Sequence, residues 1–359
     1  MLFDRVYGAL IGSAIGDAMG APVEMLTHEQ IKSRYGHIND LLEYGSEKIN
    51  AHGPWDTSAG AYTDDSRMNK LFCMAIIEKG GEITKEDLIK AYCDYYYAAP
   101  DGLPKQFVEE YFYKAIYNDK KQIFGGQPTN GAIMGIAPFG VINLCRPQKA
   151  HNNSFDTLFI TEGYARYSAS IAAAAIAASF SPRVTSIDWC IEQALSCVGA
   201  HKACVEGEEW KAWKCYDLVA AKNEQLIRTA LDIVHATPRD RLYTELTDGV
   251  CQQFFADGAE TLAIAFAFSS LANGDFATAV TECVNFGRDC DSTAAVAGAL
   301  CGAFGGMAAI PAQWVAQVEA VNPGPRFDIL ANSLCSVVER EYHVIEQSQR
   351  DIHMLLQHL

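Results

Sequence analysis

Asn285-Phe-Gly-Arg-Asp289-Cys-Asp291-Ser292-Thr293 leads directly into Ala294-Ala-Val-Ala-Gly-Ala-Leu-Cys-Gly-Ala-Phe-Gly305. The small uncharged residues predict a helix over 291–305, buried and closely packed against a neighbour. At its head stand two carboxylates two residues apart, followed at once by a hydroxyl. Such oxygen donors suit a hard divalent cation, Mg²⁺ or Mn²⁺. So small a cluster supplies part of a coordination sphere and needs a partner. Tyr62-Thr63-Asp64-Asp65-Ser66, also at a helix start, is the matching stretch upstream. Two clusters suggest a two-metal site able to position and activate a water. Asp, Ser and Thr are also ordinary N-cap residues, and acids in a first turn complement the helix dipole. Either cluster alone therefore reads as a cap; the pair leaves capping and metal binding both open.

Working outward, 3–20 reads as a helix with Gly8, Gly12, Gly16 and Gly20 on one face at a spacing of four. Glycine weakens a helix, so the repeat implies close backbone approach to another helix or to a ligand. Residues 21–61 look irregular, with a loop around 50–56. Helices are expected over 65–78, 84–99 (Thr84 and Asp87 as a capping box), 104–117, 156–180, 186–205, 209–235, 240–255, 258–273, 275–286, 313–321 and 329–357. A glycine-rich loop spans 124–131. Strand alternation is almost absent. There is no fixed repeat, no low-complexity tract and no linker. The expectation is one all-α domain over 1–359, with its motifs between about 3 and 310 and further helices over 311–359.

A formal net charge of −16 argues against nucleic-acid binding, because phosphate contacts need clustered Lys and Arg. Asp4, Arg5 and Asp17 interrupt the apolar N-terminus and exclude a signal peptide. The Ala/Gly run is short for a bilayer span. A soluble, cytoplasmic protein with no membrane or nucleic-acid partner is expected. None of the twelve cysteines forms a Cys-x-x-Cys pair. Cys190, Cys197 and Cys204 share a helix face with His201, so a soft-metal site is one reading there and reduced core cysteines the other.

Four pieces, in order, resemble the ADP-ribosylglycohydrolase family. They are Gly8-Ala-Leu-Ile-Gly-Ser-Ala-Ile-Gly-Asp17-Ala-Met-Gly-Ala-Pro-Val-Glu24, Tyr62-Thr63-Asp64-Asp65, Asn130-Gly131-Ala-Ile-Met134 and Asp289-Cys-Asp291-Ser292. The bacterial archetype of that family removes ADP-ribose from an arginine of dinitrogenase reductase. The resemblance implies a compact all-helical fold around a binuclear Mg²⁺ (or Mn²⁺) site, held by Thr63, Asp64, Asp65, Asp289, Asp291 and Ser292. It implies Glu24 as the carboxylate that helps activate water, with Asp65 counted among the catalytic residues too. Asp17 matches a family acidic position, which makes it a substrate-binding candidate, and reads equally as a buried helix residue. Asn130 and Gly131 are implied on the substrate side.

The departures fall where substrate is read. Gly135 stands where the family commonly has Arg, Thr161-Glu162-Gly163 where many members carry Thr-His, and Arg288 where Gly is frequent. Glu162 and Arg288 are therefore candidate substrate contacts, or else a structural ion pair with each other. Trading Arg and His for Glu makes a pyrophosphate less welcome, and a bidentate Arg288 contact would offset part of that. Three functions stay open: removal of ADP-ribose from an ADP-ribosylated, arginine-type acceptor, the same chemistry on a smaller N-riboside, and a non-catalytic crystallin-like or ligand-binding role.

Overall fold

The computed structural model describes residues 1–45, 57–98, 128–205 and 215–357. Fifteen α-helices and no β-strand occur among them. At the centre, α1 (Leu2–Gly20) runs antiparallel to the late Ala/Gly helix, α13 (Cys290–Gly305). From Val6 onward α1 is buried throughout, as a helix apolar all round must be. The glycine stripe explains the pairing. A Cβ on Gly8 would lie 2.5 Å from the Gly302 carbonyl oxygen, and one on Gly298 would lie 2.1 Å from the Gly12 oxygen. Only bare backbones come this close. At the far end of the stripe Gly20 meets Asp291, whose Cα would be 2.5 Å from an added Cβ. The stripe thus delivers the C-terminus of α1 to the head of α13.

Helix α7 (Tyr164–Ser179), rich in alanine, and α11 (Gly258–Leu271) are also buried almost end to end and pack on α13. The remaining helices are α2 (His28–Tyr35), α3 (Asp64–Lys79), α4 (Lys85–Ala98), α5 (Ala137–Ile142), α6 (Pro147–Thr157), α8 (Ile187–Val205), α9 (Cys215–Ala236), α10 (Leu242–Val250), α12 (Phe276–Phe286), α14 (Ala312–Val321) and α15 (Phe327–Leu356).

Several expected boundaries move. Helix α2 lies inside the stretch expected to be irregular. A Thr27–Gln30 capping box starts it, and it buries Ile31 alone, so no apolar periodicity advertises it. The helix expected over 156–180 is two, α6 and α7, broken before Gly163 at φ +60°. The helix expected to reach 255 ends at Val250, with Cys251 extended. The Thr84–Asp87 capping box is present, with Asp87 N–H donating to Thr84 Oγ1 at 3.3 Å. The helix expected over 104–117, the loop at 50–56 and most of the glycine-rich loop lie outside the described residues, as do the side chains of His201 and Cys204. Cys190 and Cys197 are buried and free, as the reduced-core reading requires. No described helix is long and apolar enough to cross a membrane.

Candidate active site

Three helix ends converge: the C-terminus of α1 and the N-termini of α3 and α13. Asp17, fully buried on α1, organises the first cluster. It accepts from Thr63 N–H at 3.0 Å, Thr63 Oγ1 at 2.9 Å, Ser66 N–H at 3.0 Å and Ser66 Oγ at 2.6 Å. Thr63 caps α3 by accepting from Asp65 N–H at 3.4 Å. Asp17 is thus a positioning residue for the first turn of α3. Ser66, quoted with the cluster but given no role from sequence, is its second anchor.

The second cluster hangs on a short antiparallel pairing. Met25 N–H donates to the Arg288 oxygen at 2.6 Å, and Arg288 N–H donates to the Leu26 oxygen at 2.7 Å. Met25 and Arg288 both adopt left-handed φ, +66° and +64°, a conformation that stores strain in non-glycine residues. Gly287 is required, since a Cβ there would stand 2.3 Å from the Leu26 oxygen. The pairing sets Glu24 beside Asp289 and Asp291, with one carboxylate oxygen from each within 4.8 Å of the others. The resemblance implies a water-activating role for Glu24 beside the metals, and in space it groups with two of the implied ligands.

The residues fit a hard cation. Asp65 Oδ2 and Asp291 Oδ1 are buried oxygens without a hydrogen-bond partner among the described residues, an arrangement that is rare unless something else satisfies them. Burial pushes the Asp65 carboxyl well above its usual range; the charges of Asp17, Asp64 and Asp289 add to this and a Ser292 hydrogen bond opposes it. Asp291 is raised likewise, by burial first, then by Glu24, Asp289 and Asp65. Asp64, though part of its surface meets solvent, is pushed up to about 7, by burial and then by Asp17 and Glu24. Mutual repulsion on this scale is what a divalent cation relieves.

Asn130 joins the centre: its Nδ2 donates to Asp289 Oδ2 at 3.0 Å and to Thr261 Oγ1 at 3.1 Å. Gly131 is buried beside it in the 3-10 turn Asn130–Ala132. Thr261, from α11, carried no signal in the sequence. The suggested ion pair between Glu162 and Arg288 is not formed. Glu162 bonds Arg166 at 3.3 Å, one helical turn away. Arg288 clamps Glu260 through Nε and Nη2, donates from Nη2 to the Gln252 oxygen at 2.6 Å, and lies 4.0 Å from the Phe255 ring centroid. Its bidentate contact is made inside the chain because Glu260 is buried and needs a countercharge. Tyr44, also overlooked, has its phenol pushed up by burial and then by Asp17 and Asp291, which marks it as a neighbour of the carboxylates.

The sequence profile of the ADP-ribosylglycohydrolase family matches residues 1–344. Over 345 residues the chain is 26% identical to the uncharacterized protein YegU of Escherichia coli (strain K12), covering 90% of this chain and 94% of that one. Over 321 residues it is 26% identical to the ADP-ribosylarginine hydrolase Tri1 of Pseudomonas putida (strain GB-1), covering 88% of this chain and 74% of Tri1. A solved ADP-ribosylglycohydrolase-related protein complex shares the fold, with a TM-score of 0.63 at 20% identity, over 94% of this chain and 99% of that chain.

Proposed function

The chain belongs to the ADP-ribosylglycohydrolase family and is a glycohydrolase, and on that premise we propose that it is a metal-dependent N-glycosyl hydrolase that removes ADP-ribose from an ADP-ribosylated, arginine-type acceptor. The observation that carries this reading is the meeting of Glu24, Asp289 and Asp291 within 4.8 Å, beside buried carboxylate oxygens that no donor among the described residues satisfies. The name of Tri1, an ADP-ribosylarginine hydrolase, supports the acceptor type.

Thr63, Asp64, Asp65, Asp289, Asp291 and Ser292 are the residues that would hold two Mg²⁺ or Mn²⁺ ions. When bound, such ions hold ribose hydroxyls and make a water more acidic. Asp17 fixes Thr63, and Asn130 fixes Asp289, so that the donor oxygens are aimed before substrate arrives. Glu24 takes a proton from the water that attacks the anomeric carbon, or gives one to the departing nitrogen, as cleavage develops oxocarbenium character. Asp65 shares its role between ligation and catalysis.

A second reading, a smaller N-riboside as substrate, is favoured by one feature. Arg288 is committed to Glu260 and to the Gln252 oxygen within the chain, which leaves its guanidinium closed to a pyrophosphate. Release of free ADP-ribose from an arginine-ADP-ribosylated peptide, with Mg²⁺ and with a chelator, separates the two. Metal-dependent release establishes the first reading. No release from protein that holds divalent metal removes it in favour of small N-ribosides.

A further inference from the structure

In a chain of formal net charge −16, several basic side chains line a cavity outside the carboxylate centre. This cavity of about 340 Å³ is lined by His28, Lys32, His37 and Arg239, with Asp240 the one acid. Two of the four basic groups have partners: His28 Nε2 lies 3.1 Å from Glu29, and Arg239 pairs with Glu282. The side chains of Lys32 and His37 enter no ion pair or hydrogen bond among the described residues. The wall behind them is fixed. Asn285 accepts from Ile38 N–H at 2.9 Å and donates to the Ile38 oxygen at 2.7 Å, and Tyr243 donates to Glu282 at 2.7 Å.

We propose that this cavity is a second binding site, separate from the carboxylate centre, that takes a phosphate-bearing small molecule. The concave wall places the Lys32 ammonium and the His37 imidazole where one anion can meet both. With His28 set against Glu29 and Arg239 against Glu282, the Lys32 ammonium and the His37 imidazole keep donors free beside Asp240, and a phosphoryl group has oxygens to accept them. The volume is enough for a small organic group beyond the phosphate. The site stands behind the reacting centre rather than in it. His28 follows Thr27 and Asn285 precedes Gly287, the two ends of the bridge whose other flank carries Glu24 and Asp289.

The test is calorimetric titration of the full chain with inorganic phosphate, in EDTA so that no divalent ion links phosphate to the carboxylates. The expected result is saturable one-to-one binding, weakened at least tenfold by Lys32→Ala combined with His37→Ala and unaltered by Asp289→Asn. Both replaced side chains are exposed, so the double variant keeps its helical circular dichroism. A nucleoside 5′-monophosphate titrated alongside distinguishes the ligand's source: tighter binding brings the organic part into the cavity, and equal binding confines the site to phosphate. The proposal is overturned if neither probe saturates, if binding survives the double variant, or if Asp289→Asn abolishes it.

Discussion

Asp17 joins burial to function in one side chain. Burial pushes its carboxyl above the usual range, while the hydrogen bonds from Ser66 and Thr63 pull the other way. Replacing it with Asn keeps the shape and turns an acceptor oxygen into an NH₂ group facing N–H and O–H donors. A hydrogen bond to a charged group contributes about 1.5–3 kcal/mol, so Asp17→Asn is expected to lower stability by about 2–3 kcal/mol in urea unfolding. It should also weaken Mg²⁺ binding, because Thr63 loses its anchor. Unchanged metal affinity would reduce Asp17 to a packing residue. Glu24→Gln is the complementary change: turnover should vanish while calorimetry still detects metal, and retained turnover would remove Glu24 from proton transfer. The sequence allowed Asp17 a site role and a buried role; it holds both positions at once, since it is buried and positions the site. The Asn130–Asp289 contact could not be read, because it joins residues 159 apart and local pattern carries no such information.

At the scale of elements, the glycine stripe was the most legible feature. Its spacing of four announced a close helix contact, and Gly12, Gly298 and their neighbours make one. An added Cβ on Gly12 would lie 2.4 Å from the Gly298 oxygen, and overpacking of this kind costs about 1–3 kcal/mol. Gly12→Ala should therefore lower the unfolding free energy measured in urea by that much, and it should lower metal affinity because α1 carries Asp17 and leads to Glu24. Gly199 is the internal control: it is exposed in α8 with nothing within 4 Å of an added Cβ. Gly199→Ala should raise stability by up to about 1 kcal/mol through helix propensity. Equal responses of the two variants would mean that the α1–α13 approach is not a close packing. Long, strongly apolar helices were legible for the same reason that the stripe was. Helix α2 was not, since one buried isoleucine gives no periodicity, and the break before α7 was hidden because Glu162-Gly163 interrupts an otherwise continuous helical composition.

At the scale of the whole molecule, the converging helix ends bring several carboxyls into one buried volume, and stability must depend on what neutralises them. Asp64 is pushed up to about 7, with burial as the largest cause, from an ordinary aspartate value of about 3.9 in the unfolded chain. A folded-state value above the unfolded one means that the folded protein binds the proton more tightly. The resulting stabilisation is complete below the unfolded value and is lost as pH rises through about 7. Asp65 and Asp291 shift in the same direction, so their contributions add to it. In EDTA the melting temperature should therefore fall between about pH 5.5 and about pH 8. Divalent metal competes with these protons for the same oxygens, so Mg²⁺ should raise the melting temperature more at the upper pH than at the lower. The reverse order, or a melting temperature in EDTA that climbs across this range, would mean that the carboxyls are neutralised from within the chain, and the case for a cation at their centre would fall with it.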